Sequence, residues 1–565
     1  MIKMKRHIPT SERGIVTIIA LIMVGMLTLI GLAALSSSND EVSIAGNELQ
    51  EMRAFYAAEA GLERAAAELQ DEYEKTGIPP LVMPSGDEQL NACRVGYITT
   101  DDGIATRRTL TTGTLAGLHA LVKSFTISSL AVQSGDNSRV ALTQSFETAL
   151  VPIFQFAVFY GQDLELDPGP DMTLIGRVHS NGDMYLNPAN NLSMDSYVTA
   201  SGKLVRGSKG TDPLKSGDIL IKDAGGNYVS MQSGGTWIDH NYVDWYDSSI
   251  AMWNGRVQDE AHGAPELNVP VSNSGDPHKL IERSSYNPDS YEHKAGLRII
   301  DGTVYSKIGA LWQDVTANMI ADGVIQQTTD QFFDQRENEW VDAFELDVAA
   351  MYDHGYAPDN GVIYFSDEKS GSSDWPALRL HNAQELDAGL TIACENPLYT
   401  IGDFNSVDKK PASFLSDALT VLSSSFDDAL STDVYTNRIA NSTTVNASYI
   451  TGGVETGPGV ESGGFHNLPR FLEYWGGRDF RWSGSAIHLW YSQQATATWR
   501  PESGGYYRAP TRVWQYDTDL DDPNKLPPAT PVLRVFQRTA WRQVNVGYAK
   551  SSSEFDWELL ESLGS

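Results

Sequence analysis

From Gly14 to Asn39 the chain carries no charged residue. A helix of about 26 residues reaches roughly 39 Å, enough to cross the hydrocarbon layer of a bilayer. Ile15, Ile19, Leu21, Leu27 and Leu32 are the expected membrane-spanning positions. Ahead of them, Lys3, Lys5, Arg6 and Arg13 form a basic flank that stays cytoplasmic and sends everything after the segment outward. Beyond it, Leu49, Met52, Phe55, Tyr56, Leu62, Ala66 and Leu69 recur at three- and four-residue intervals, the mark of a continuing amphipathic helix. That helix is expected to stop near Gly77-Ile78-Pro79-Pro80, where proline cannot continue it. One rod of about 60 residues, roughly 90 Å long, is predicted.

The pattern then changes period. Phe125 to Val132 and Val140 to Val151 alternate around Ser134-Gly135-Asp136-Asn137 and predict a strand, a turn and a strand. From Phe156 onward, Gly161, Gly182, Gly202 and Gly217 each open a short strand-like run at spacings near 20 residues. Stacked β-turns of a solenoid and ordinary sandwich strands both fit this spacing. Gly389 to Cys394, followed by Gly402-Asp403-Phe404, has the same character. A helical interruption is expected from about Asp330 to Tyr352, with Phe332, Phe333, Trp340, Phe344, Leu346 and Val348 as its apolar side. A second helix is expected over Ala412 to Leu430, before an aromatic-rich end.

These elements predict an α+β protein. A long transmembrane and amphipathic helix (15–76) follows a short leader (1–14) and packs on an antiparallel sheet (77–155). A large β-rich body, solenoid or sandwich, comes next (156–410, with the helical insertion near 330–352), and then an aromatic-rich region (411–565). The 49 glycines and 25 prolines suit such a turn-rich body. The formal net charge of -32 repels nucleic acid phosphates over most of the surface and favours solubility. Cys93 and Cys394 are the only cysteines, and their spacing leaves one long-range disulfide or two buried thiols open. The run Ala33-Ala34-Leu35-Ser36 is a poor match to an ordinary signal cleavage site, so removal there is the runner-up to a retained helix.

Candidate chemistry is sparse, and the sequence predicts no enzyme, no catalytic residue and no cofactor. His179, Ser180 and Asp183 suggest a nucleophile and base, but neighbouring strand residues point to opposite faces. Asp517, Asp519, Asp521 and Asp522 offer oxygen ligands to calcium, against the plainer reading of a solvated acidic turn. Trp475, Trp482, Trp490, Trp499 and Trp514, with Arg478 and Arg481, can stack on a glycan or nucleic acid. The competing reading places the same rings in a core.

Arg13-Gly14 before the apolar run, and then Phe55-Tyr56-Ala57-Ala58-Glu59-Ala60-Gly61-Leu62-Glu63, resemble the amino-terminal region of PilX-type pilus assembly proteins. The resemblance covers roughly the first 70 residues. It implies cleavage by a prepilin peptidase between Gly14 and Ile15, leaving Ile15 as the new amino terminus. It also implies an inner-membrane, single-pass subunit with its body outside the cytoplasm, exposed on a pilus or the cell surface after assembly. The implied partners are other pilins and minor pilins and the pilus assembly platform, and the implied role is that of a minor pilin. An anchored surface adhesin is the alternative. Typical major pilins carry glutamate at the fifth mature position, whereas this chain has Ile19.

Overall fold

The structure, a computed structural model, describes residues 12–76, 79–111, 113–133, 138–210, 212–271, 275–368, 375–500 and 505–546. Helix α1 spans Glu12–Thr76 without a break, so the uncharged run and the amphipathic run form one rod. Its carboxy-terminal half lies on a sheet of β1 (Ser85–Leu90), β2 (Cys93–Asp101), β3 (Thr106–Thr109), β4 (His119–Gln133) and β5 (Arg139–Pro152). The strands pair antiparallel in the order β1-β2-β4-β5, with β3 also on β4. The anticipated turn at 134–137 lies outside the described residues, as do Gly77 and Ile78.

The last place in this sheet is filled from the other end of the chain. Strand Val532–Val544 runs antiparallel to β5, from Val532 opposite Pro152 to Val544 opposite Ala141. This corrects the predicted boundaries: the head is not confined to 77–155, and 411–565 is not one region. A pairing between strands so far apart in sequence leaves no local signature, because either strand alone shows only half of the register.

Between Pro152 and Val532 the chain forms a parallel β-solenoid. Its first coil is Phe156–Tyr160, Leu164–Leu166 and Met172–Leu174. The next is Arg177–Ser180, Met184–Leu186 and Leu192–Met194, and the third is Val198–Ala200, Leu204–Arg206 and Ile219–Lys222. Corresponding strands pair in parallel, as in Val158 with Val178 and Val178 with Val198. Of the two architectures that the glycine spacing allowed, the solenoid is the one formed. The glycines sit where successive coils touch. A Cβ on Gly202 would lie 2.8 Å from the Gly182 carbonyl carbon, and one on Gly217 would lie 1.9 Å from the Asn190 carbonyl oxygen.

After the third coil, helix α2 (Trp245–Trp253) follows, and the stack resumes at Leu297–Ile300. Successive strands Val362–Ser366, Leu390–Cys394, Ala412–Ser416, Ser448–Thr451 and Ala486–His488 then add in parallel. The last of them pairs with Phe156–Tyr160, the strand that began the body. Two half-solenoids thus meet in one twelve-stranded sheet.

From Val198–Ala200 across to Val362–Ser366 that sheet is buried on both sides. Val158, Val178, Ile363, Ile392 and Phe414 face the interior of the coil. Phe159, Tyr364, Ala393, Leu415, Ile450 and Ile487 face outward, beneath Leu267, Val269, Val271, Leu280, Ile281, Tyr291 and residues of the head. Strands buried on both faces lose the alternation of a half-exposed sheet and read as continuous apolar runs. The predicted helix over Ala412 to Leu430 fails for this reason: it is two strands, Ala412–Ser416 and Leu419–Leu422, followed by a single 3-10 turn. The predicted helical insertion at 330–352 is likewise a hairpin, Ile325–Asp334 against Glu339–Asp347, turning through Asn338 at φ 61°. Only Val348–Asp353 is helical, capped where the Ala350 amide donates to the Asp347 carboxylate. Of the two alternatives left open for the cysteines, the two buried thiols are the one formed. Cys93 lies in the head sheet and Cys394 in the solenoid, and both are buried free thiols.

Candidate functional site

Every residue of α1 from Gly14 to Ala45 is exposed, including Ile15 at 58%, Leu21 at 74% and Leu27 at 67%. A helix satisfies its own backbone hydrogen bonds, so such a segment is at home in lipid. The Thr28 hydroxyl is also satisfied within the helix, donating to the Val24 carbonyl oxygen at 2.7 Å. In water an uncovered apolar surface of this extent is unstable, and it calls for lipid or other apolar helices.

The next stretch of α1 is held on the head. Ala54, Ala57, Ala58, Leu62, Ala65 and Ala66 are buried against Val95, Ile127, Ala131, Val140, Leu142 and Phe146. The preponderance of alanine brings the helix close to the sheet, and Gly61 sits at the tightest point. A Cβ there would fall 2.6 Å from Ser129 Oγ and 2.7 Å from Val95 Cγ1. The carboxy-terminal strand grips the helix at three levels. Trp541 meets Phe55 edge-on at 6.0 Å, Arg538 forms an ion pair with Glu63, and Arg534 donates to the Tyr73 carbonyl oxygen. The Arg538 guanidinium holds the Glu63 carboxyl below its ordinary value. On the opposite flank, Arg64 bridges to Glu88 at 2.6 Å and to Glu68 at 3.3 Å.

Residues 13–63, the span from the basic flank to this buried face, match the PilX N-terminal family model. The chain carries a PilX-type, type IV pilin-like amino terminus. The matched segment contains both the exposed apolar stretch and Phe55 to Glu63. Among solved structures, the competence-associated pilin ComZ from Thermus thermophilus is similar at 13% identity and a TM-score of 0.29, with 88% of this chain and 98% of that chain covered. No curated protein matches the chain.

Beyond the matched segment the other expected sites take different roles. Trp475, Trp482 and Trp490 are 0%, 4% and 3% exposed and belong to the core, so they present no stacking face to a ligand. Trp499 and Trp514 pack, half-buried, against the same interior, and Trp499 Nε1 donates to the Tyr507 hydroxyl. Arg478 and Arg481 are exposed, and Arg481 pairs with Asp479 at 2.5 Å. Of the two readings of the aromatic set, ligand platform and core, the core is the one formed. Trp482 and Trp514 sit opposite each other on paired parallel strands that turn both rings inward, whereas Trp475, Trp490 and Trp499 come from irregular segments that fold against the sheets.

The acidic turn is satisfied by lysines. Asp517 pairs with Lys409 at 2.6 Å, Asp519 with Lys409 at 2.9 Å and Lys525 at 2.8 Å, and Asp521 accepts from the Tyr516 hydroxyl. Hydrogen bonds from both lysines hold Asp519 at about 2. Among the described residues, no group of three or more His, Cys, Asp or Glu is placed to hold a metal. His179 bridges Thr199 and Asn181 at 2.8 and 2.9 Å, whereas Ser180 donates to the Gln162 carbonyl oxygen at 2.7 Å. The two side chains are spent on neighbouring coils, and burial pushes the His179 imidazole down to about 4.

One cluster escaped the sequence. Ser249 Oγ lies 2.6 Å from His262 Nε2, and His262 Nδ1 lies 2.9 Å from Asp259 Oδ1. Ser249 is fully buried and also donates to the Tyr246 carbonyl oxygen, so the relay ties α2 to the third coil instead of opening to solvent. Its hub is Asp259, which also meets His240 Nδ1 at 2.8 Å and accepts the Ala261 amide. Burial pushes the Asp259 carboxyl up, but hydrogen bonds from His262, His240 and the Leu204 amide outweigh it and hold it at about 2. A carboxylate lowered on folding stabilises above its unfolded value of 3.8, and that contribution disappears as pH falls toward about 2. Asp259→Asn is therefore expected to cost about 2 kcal/mol near neutrality. Thermal unfolding curves of variant and parent should converge as pH drops from 4 toward 2. A gap that stays constant with pH would show that the ionised hub contributes nothing.

Proposed function

We propose that this chain is a minor pilin or pilin-like structural subunit of a type IV pilus or related secretion apparatus, anchored in the inner membrane before assembly. The observation that carries the reading is the division of α1: its apolar amino-terminal stretch is wholly uncovered, while the next stretch is clamped to a folded head. Such a rod is stored in lipid and later exchanges lipid for neighbouring helices, where close packing replaces the hydrophobic drive. Prepilin peptidase acts between Gly14 and Ile15. Glycine suits that site because it lets the enzyme approach the backbone.

Ile19 supports a terminal or initiating position. A carboxylate there is costly to bury unless it meets a cationic partner. With isoleucine in its place, this subunit has no such group to offer to the amine of an earlier subunit. The solenoid argues in the same direction, since a body this large at every position would crowd the filament. Mass spectrometry of the native protein should find a chain that starts at Ile15, and immunogold labelling should be sparse or confined to filament ends. A soluble chain that starts near Ser36 would sink the proposal.

A further inference from the structure

The body is inserted into the head, not appended to it. It leaves β5 at Pro152 and returns at Val532, and these two residues are partners across the sheet. The two connections are short and tied together: the Ile153 amide donates to the Pro531 carbonyl oxygen at 3.0 Å, and Tyr516 in the body donates to the Phe154 carbonyl oxygen at 3.3 Å. Both leave the same end of the sheet. Arg534, next to the return point, reaches Tyr73 near the carboxy-terminal end of α1, whereas Trp541 meets Phe55 at the opposite end. The exposed apolar stretch of α1 extends from that opposite end.

Tension between the helix and the body therefore runs along the strands. We infer that the head is a load-bearing coupling in which β5 and the carboxy-terminal strand together take the pull of the body in shear. Antiparallel hydrogen bonds lie perpendicular to their strands. A force along β5 loads the β4–β5 ladder all at once, from Leu121 opposite Leu150 to Val132 opposite Arg139. The carboxy-terminal strand passes its share to α1 through the Arg538–Glu63 ion pair and the Arg534 contacts. A body appended after Val544 would pull on the other end of that strand and peel its bonds one at a time.

This inference rests on the proposed subunit role only for the origin of the tension, and its test does not depend on that role. The full chain, held in a bilayer disc, is stretched between two handles by single-molecule force spectroscopy. Ser36→Cys, in the exposed part of α1, supplies the first. The second is either Pro458→Cys, on an exposed loop of the body, or a tag after Ser565. Pulling through the body should require several times the force that pulling through the carboxy terminus requires, because the latter peels Val532–Val544 away from β5. Equal forces in the two directions would overturn the inference, as would a body that unravels before the head yields. Either result leaves processing at Ile15 untouched, and failure of that processing leaves the ratio of forces unchanged.

Discussion

Replacing Trp475 with alanine should lower the stability of the body by about 3–5 kcal/mol, the usual loss when a large buried aromatic is deleted. Trp475 is fully buried, with Phe471 at 5.3 Å and Phe480 at 6.4 Å edge-on to it. It comes from an irregular stretch, so the cavity left behind borders segments held by few backbone ladders. The surrounding rings are themselves interlocked, with Phe471 against Tyr507 and Phe480 against Trp514, and they cannot close the gap by a simple shift. Arg481→Ala, made at an exposed position in the same region, should change stability by less than about 0.5 kcal/mol. Denaturant unfolding followed by fluorescence compares the two. A Trp475→Ala protein as stable as its parent would contradict the core assignment and reopen a surface role for this ring.

A chain ending at Thr530 should lose the folded head while retaining a coiled body. The truncation removes the whole strand Val532–Val544, leaves β5 as an open edge, and takes away Arg538, Arg534 and Trp541 from the helix. It also removes the stacked Phe146–Phe536 pair at 5.2 Å, whose Phe146 forms part of the floor beneath α1. Domains are stable by only about 5–15 kcal/mol, so losing a complete ladder and its buried side chains exceeds what a small head can absorb. Limited proteolysis should then cut between Ala54 and Pro152 while sparing the solenoid. Protection of that region equal to the full-length chain would mean that the last strand is dispensable to the head.

These two expectations divide along the line between local and non-local information. The rod was legible because its signals are local: an uncharged run long enough to span a membrane, then an apolar stripe at helical spacing, ending before Pro79-Pro80. Strands β4 and β5 were legible from alternation around a turn. The solenoid was half legible, because glycines recur near every 20 residues where coils touch, but sandwich strands produce similar spacing. Two predicted helices proved to be strands. At Ala412–Leu422 double burial removed the alternation that distinguishes a strand, and the apolar residues then mimicked a helical face.

The candidate sites divide in the same way. That α1 would be uncovered near Ile15 and Leu27 follows from composition, since no globular core accommodates so long an apolar stretch beside a separate complete fold. Whether Trp475 or Arg481 meets solvent could not be read from residue types, because exposure depends on which segments close over them. The Ser249–His262–Asp259 relay was invisible for a related reason: Ser249 lies on a helix and its partners lie beyond it, and only the cap geometry brings them within hydrogen-bond reach. By itself the sequence determined a long apolar rod followed by a turn-rich, strand-built body, since charge spacing and backbone periodicity act over a few residues. Only the tertiary structure decided that the body is threaded into the head and that its aromatics are core, because strand pairing and burial are settled between segments hundreds of residues apart.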